Sequence, residues 1–411
     1  MSADPTDLHD DSPEEAAFRA EARAWLEANA PKKGGPDDFA NTAMDTLDYV
    51  ARAKEWQGKL AAAGWACITW PTEYGGRGGT PSQSAIFAEE QARTGASTGT
   101  FTVGIGMAGP TIIAHGTDEQ KQRWLPPLLR GEEVYCQLFS EPGAGSDLAG
   151  LSCRAVRDGD EWIVNGQKVW TSGAVHSDLG ILVARTDVEQ PKHRGITYFI
   201  VDMHQAGMDI RPLRQMTGGA HFNEVFLTDV RIPHENVLGE VNGGWMVAMT
   251  TLSNERSAIG GGGTAMGFDR LLDLARQRGV TTDAVMRQGL AEAFTRFEIL
   301  KFIGMRVRSA ARAGKTPGGE ANTMKLAYAQ HLKKLGDLAM AIEGAGGMLM
   351  RDDAPDGGAW QQQFLSAPSI RIAGGSDEVQ RNIIGERVLG LPPEPRPDKG
   401  VPFRDLLSNN V

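Results

Sequence analysis

The chain opens with apolar residues at helical spacing. Phe18, Trp25 and Leu26 follow the polar start Ser12-Pro13-Glu14-Glu15 and run until Pro31. Ser12 with Glu15 makes a capping box and Pro13 suits the first turn, so this stretch predicts a helix. A second helix is predicted over Leu47 to Ala63, and Thr117 with Gln120 repeats the capping pattern ahead of Trp124 and Leu125. The period shortens near Val134. Trp162-Ile163-Val164 and Gln167-Lys168-Val169-Trp170 flank Asn165-Gly166, which predicts a tight hairpin turn between two strands. Leu179 to Ala184, Ile196 to Val201 and Phe222 to Ile232 read as further strands. From Gly244 the helical period returns: Trp245, Met249, Leu252 and Ile259 lie three or four apart or nearly in phase, and Leu290 to Val307 and Met324 to Ile342 carry long amphipathic patterns. Val379, Ile383, Ile384 and Val388 mark one more helix, and the proline-rich stretch after Leu391 is expected to run over the surface. The pattern predicts an α+β chain: an N-terminal helical domain over 1–132, a middle β-barrel or sandwich domain over 133–240, and a C-terminal helical bundle over 241–411.

Composition narrows the functional classes. A chain of 411 residues is long for one core, and 41% hydrophobic with 23% charged residues is a globular balance. The formal net charge of -10 argues against a nucleic-acid surface. Three cysteines without C-x-x-C spacing point away from a disulfide framework or a zinc site, and the scattered histidines predict no metal. With no apolar run near the roughly 20 residues of a bilayer span and no basic-plus-apolar leader, a cytoplasmic protein without a membrane partner is expected.

The densest chemistry lies in two segments. Leu138-Phe139-Ser140-Glu141-Pro142-Gly143-Ala144-Gly145-Ser146-Asp147 precedes Lys168-Val169-Trp170-Thr171-Ser172-Gly173. Hydroxyls at Ser140, Thr171 and Ser172 suit the polar edge of an isoalloxazine, and Trp170 can cover one face. Gly143 and Gly145 let backbone N–H groups approach a pyrophosphate. The set reads as a flavin cradle. It resembles the acyl-CoA dehydrogenase family, and the resemblance extends from about Trp65 to Leu391 with the landmarks in the family's order. His193-Arg194-Gly195, Arg211 to Met216 and Asn223 to Phe226 are similar to the actinobacterial branch. The resemblance implies FAD, with contacts from Phe139, Ser140, Gly145, Ser146, Trp170, Thr171, Ser172, Glu343, Gly347 and Ser376, and substrate contacts from Ser146 and Arg256.

Desaturation of a thioester needs a base for the α-proton, a hydride acceptor and donors for charge on the thioester oxygen. Glu255 lies in phase with Leu252 and Ile259, which puts a carboxylate on the apolar stripe of its helix. Taken alone it reads as half of an ion pair with an arginine or as a rim residue. The resemblance implies the base: most of the family carries it just before a late Gly-Thr/Ser step, where this chain has Gly374, and the members that lack it use the position of Glu255. Gly374 would then contribute only its amide. Gly374-Gly375-Ser376 is otherwise an ordinary glycine-rich helix start. Glu343-Gly344-Ala345-Gly346-Gly347 resembles a segment that serves the neighbouring subunit's FAD, although such clusters also cap helices. The family's Arg-x-x-Phe-Gly element is missing between Leu271 and Leu290, leaving Arg278 and Arg287 as alternatives. Gly260 to Gly263 follows no strand and suggests close packing or a kink.

The implied function is an FAD-dependent acyl-CoA dehydrogenase. It would convert an acyl-CoA to a trans-2-enoyl-CoA and pass electrons to an electron-transfer flavoprotein, as a homo-oligomer or with a paralogous subunit. The alternatives are a subunit that completes a paralogue's FAD site, and an acyl-CoA oxidase or flavin monooxygenase on the same fold.

Overall fold

A computed structural model describes residues 11–40, 42, 46–260, 267–312 and 319–406. Five helices come first: α1 (Pro13–Asn29), α2 (Leu47–Ala62), α3 (Pro81–Gln91), α4 (Gly109–His115) and α5 (Asp118–Leu129). Their starts are chemically marked. Ser12 accepts from the Glu15 amide at 3.2 Å while its own amide donates to Glu15 Oε2 at 2.9 Å, and Thr117 with Gln120 does the same for α5. A third such box, Thr80 with Gln83, starts α3, an element that apolar periodicity alone did not reveal.

The strands are β1 (Tyr135–Leu138), β2 (Arg154–Asp158), β3 (Glu161–Ser172), β4 (Leu179–Arg185), β5 (Ile196–Asp202), β6 (Met208–Leu213) and β7 (Phe222–Pro233). They form a 7-stranded sheet in the order β1-β4-β2-β3-β7-β6, with β5 on the other edge of β4. Here the hairpin expectation is corrected. Asn165-Gly166 lies inside β3, and the turn between β2 and β3 is Gly159-Asp160. Tertiary pairing overrides the local signal: β7 flanks β3 over most of its length, and Asn165 exchanges two hydrogen bonds with Asp229 at 3.0 and 2.9 Å. Gly166 is needed for closeness instead of turning, since a Cβ there would lie 2.8 Å from Cys153.

The last third comprises α6 (Gly244–Gly260), α7 (Phe268–Gln277), α8 (Ala284–Arg312), α9 (Gly319–Glu343), α10 (Ala359–Ile370) and α11 (Asp377–Ile383). The predicted kink at Gly260 to Gly263 falls largely outside the described residues. Three apolar cores result. One joins the first helices to a face of β1, β4 and β5 and takes in Val247 and Ala248 of α6; a second fills the other face of the sheet; a third holds the C-terminal bundle around Leu271, Leu335 and Trp360. The proline-rich tail crosses the surface, and its residues 403–404 rest against the middle domain. Phe403 lies under the Arg185 guanidinium at 3.9 Å and donates its amide to Gln190 O at 2.9 Å.

Candidate functional site

β1 continues into Phe139-Ser140-Glu141, and the end of β3 lies alongside. The Val169 amide donates to Ser140 O at 2.9 Å. Beneath this contact Lys168, 0% exposed, donates to Glu141 Oε1 at 2.7 Å and to Phe139 O at 3.0 Å. Glu141 also accepts from the amides of Ser152 at 2.7 Å and Cys153 at 2.9 Å. Burial pushes the Glu141 carboxyl up, but Lys168 and these amides outweigh it and hold it below the usual carboxylate range. The ion pair thus ties together the two segments singled out in the sequence. Neither residue carried a role there, because a buried pair has no local signature.

The register of β3 sorts the cradle residues. A shift between Lys168 and Thr171 puts Trp170 at φ +62° and 60% exposed, T-shaped to Phe222 at 5.9 Å. Ser172 is also exposed, and Ser140 is half-buried. Thr171 differs from expectation: its side chain is 1% exposed on a residue paired with Asn223, and its hydroxyl has no partner among the described residues. Strand alternation turns it away from Trp170 and Ser172, so only its backbone can serve a ligand on their side. Phe139 is buried and packs edge-on against Tyr198 at 5.8 Å. Gly145 and Ser146 lie on an exposed turn, and a Cβ on Gly145 would meet nothing within 4 Å. An exposed indole flanked by hydroxyls and open backbone fits a flavin with its phosphates.

Glu255 comes to this end of β1 from α6. Gln137 Nε2 donates to its Oε2 at 3.2 Å, across 118 residues of chain. One turn earlier Thr251 lies within 2.9 Å of Thr111 Oγ1 on α4 and 3.1 Å of the Tyr198 hydroxyl on β5, all three buried. The Arg256 side chain lies outside the described residues. Gly374 has φ +66° and Gly375 φ +91°. Their carbonyls are taken, by Gln380 Nε2 at 3.1 Å and Lys325 Nζ at 2.5 Å, whereas the Gly374 N–H has no acceptor among the described residues. Lys325 belongs to α9, which also packs against α6. The Ser376 hydroxyl caps α11 by accepting from the Val379 amide at 3.4 Å.

Glu343 and Gly347 lie elsewhere. Among the described residues no hydrogen bond or ion pair links them to the Ser140–Trp170 end. Glu343 is buried at the end of α9, held by Gln361 Nε2 at 2.5 Å, and burial pushes its carboxyl up. Of the two candidate arginines, Arg278 reaches this end, with Nη2 3.3 Å from where Gly346 would carry a Cβ. Arg287 donates instead to Thr281 O at 3.2 Å within its own turn.

Comparison with known proteins matches most of the chain, between residues 12 and 389. Residues 12–132 match the acyl-CoA dehydrogenase N-terminal domain, 136–230 the middle domain and 242–389 the C-terminal domain. The chain is 41% identical over 387 residues to the acyl-CoA dehydrogenase IpdE1 of Mycobacterium tuberculosis, covering 92% of this chain and 98% of that protein. It superposes on a solved structure described as the Tcur3481-Tcur3483 steroid ACAD with a TM-score of 0.80 at 30% identity, over 94% of this chain and 100% of that one. The ChsE4-ChsE5 complex of M. tuberculosis superposes with a TM-score of 0.76 at 30% identity, over 94% and 100%. The protein is therefore an oxidoreductase of the acyl-CoA dehydrogenase family, whose members are flavoproteins.

Proposed function

We propose that this chain desaturates an acyl-CoA thioester between its α- and β-carbons, with FAD held on the Ser140–Trp170 cradle and Glu255 as the base. FAD, when bound, supplies the hydride acceptor. Trp170 would cover its ring system, the Ser140 and Ser172 hydroxyls and the Thr171 backbone would meet its polar edge, and the turn at Gly145 and Ser146 would admit its phosphates. Glu255 takes the α-proton onto its carboxylate. The Gly374 amide holds the thioester oxygen, where negative charge builds as that proton leaves. Ser146 and Arg256 contact the substrate, and Ser376 joins the cofactor's binding surface. An electron-transfer flavoprotein would serve as the electron acceptor.

The observation that carries this reading is the 3.2 Å contact between Glu255 and Gln137, which brings a carboxylate to the strand that leads into Ser140. The position that would otherwise hold one is Gly374. Glu343 and Gly347, flanked by Arg278, serve the cofactor of a second subunit, either a copy of this chain or a paralogue. Their separation from this chain's own cradle supports that division, as do neighbours described as pairs of chains.

Anaerobic bleaching of the purified flavoprotein tests the proposal, using short, long, branched, aromatic and steroid acyl-CoAs. Steroid side-chain thioesters lead the panel because one structural neighbour is described as a steroid enzyme. With the fastest substrate, Glu255→Gln should keep its FAD but reduce it about 100- to 10,000-fold more slowly. Reduction at the wild-type rate would place the base elsewhere.

A further inference from the structure

The contact between Gln137 and Glu255 points to a role for a residue that is not itself at the reacting atoms. We propose that Gln137 is a positioning residue whose side-chain amide holds the Glu255 carboxylate against β1, setting the base in register with the cradle; this rests on the function proposed above.

β1 alternates cleanly. Cys136 and Leu138 face the core of the sheet, while Tyr135 and Phe139 pack into the core shared with the first helices. Gln137 lies between those two residues in sequence, shares their face by strand alternation and is only partly exposed. An apolar residue would satisfy packing there. The amide is accounted for by its target: Nε2 donates to Glu255 Oε2 at 3.2 Å. A neutral donor is suited to this task. It orients a carboxylate without the opposite charge of a lysine or arginine, which would strongly favour the ionised form and weaken the base.

The two elements are independently fixed. α6 cannot easily roll, because Thr251, one turn before Glu255, is locked to Thr111 and Tyr198. β1 cannot easily slide, because its register to β4 runs from Tyr135↔Leu179 to Leu138↔Leu182 and its continuation is stapled by Lys168. A glutamate side chain on α6 still retains rotamer freedom, whose loss costs about 1.5–2 kcal/mol when the group is ordered. The Gln137 hydrogen bond restricts that freedom before substrate arrives. Ser140 lies three residues further along the chain, just past the end of β1, about 10 Å at the usual extended rise. Base and cofactor cradle are thereby referenced to one rigid segment.

Stopped-flow anaerobic reduction of the FAD-loaded protein tests this. The probe is the acyl-CoA that bleaches the wild-type flavin fastest. Gln137→Leu and Gln137→Met both keep the bulk and remove the donor. Both should lower the limiting reduction rate by about 10- to 100-fold, the range of one hydrogen bond to a charged group. FAD retention and the half-saturating substrate concentration should stay within about twofold of wild type, as expected for a group that acts on the base alone. In the Glu255→Gln background the same substitutions should leave the residual rate unchanged, because their target is gone. Should either folded, flavin-loaded variant reduce at the wild-type rate, or should the loss persist in full without Glu255, Gln137 does not act through the base. Reduction by Glu255→Gln at the wild-type rate would instead remove the base assignment itself, so the two failures are distinguishable.

Discussion

Lys168 and Glu141 form a charged pair in a place where charge is normally avoided, and its consequences can be measured. Removing one partner of a buried pair strands the other, at a cost of about 3–5 kcal/mol. Lys168→Met should therefore lower stability by about that amount in urea unfolding at neutral pH. The pH dependence has a definite sign. Glu141 titrates below its ordinary range in the fold, so its contribution is present above the unfolded pKa and is lost as pH falls through the folded one. In Lys168→Met burial would raise the Glu141 pKa instead, and the gap from wild type should narrow in mild acid. A gap that does not depend on pH would mean that the lost stability is packing and not charge. At Gly374 the constraint is conformational. Moving the carboxylate by Glu255→Gly with Gly374→Glu should restore only part of the flavin-reduction rate, because a side chain at φ +66° costs about 1–2 kcal/mol. Full recovery would show that the turn relaxes freely.

Two elements present the site, and each can be weakened separately. The end of β3 exposes Trp170 and Ser172 and turns Thr171 inward. Trp170→Ala with Ser172→Ala should release FAD or shift its absorbance, while Thr171→Val should leave both close to wild type because the Thr171 side chain is buried, 1% exposed. An unchanged spectrum and flavin content in the folded double variant would relocate the cradle. α6 depends on the buried hydroxyls of Thr111, Thr251 and Tyr198. Thr251→Val preserves shape but leaves the Tyr198 hydroxyl without this partner, a loss of about 1–3 kcal/mol. Calorimetric unfolding that matches wild type would show that water replaces the bond.

The described chain carries apolar surface that its own fold does not cover. Phe294, Phe297, Phe302 and Met305 are exposed along α8, and Met348, Leu349 and Met350 follow the Glu343–Gly347 end. Phe294 with Phe297 and Phe302 with Met305 lie three apart, at neighbouring positions of the helix surface, and exposed apolar clusters mark association surfaces. With the proposed service of Glu343 and Gly347 to a neighbour's cofactor, they lead to the expectation of at least a dimer. Light scattering on flavin-loaded protein should give a mass of two chains or more, and Phe297→Arg with Phe302→Arg should lower it together with flavin content. A fully active, flavin-replete monomer would contradict this.

Much of this protein is written in short spans of sequence. Ser12 with Glu15 and Thr117 with Gln120 mark helix starts because their partners lie three residues apart, and the shift from helical to alternating period and back sets out the three domains. The identity of Gly374 and Glu255 is likewise plain in the chain. What the chain alone left open depends on partners far apart in sequence. Asn165-Gly166 has the composition of a turn, but pairing with β7 keeps it inside a strand. Thr171 offers a hydroxyl on paper, and the register of β3 decides that it points into the protein. Arg278 and Arg287 are equivalent in sequence until the packing of α7 and α9 brings the first beside Gly346. Gln137 meets Glu255 across 118 residues. Local periodicity reports which face of an element is buried, but only the closure of long loops and the packing of the domains determine what that face touches.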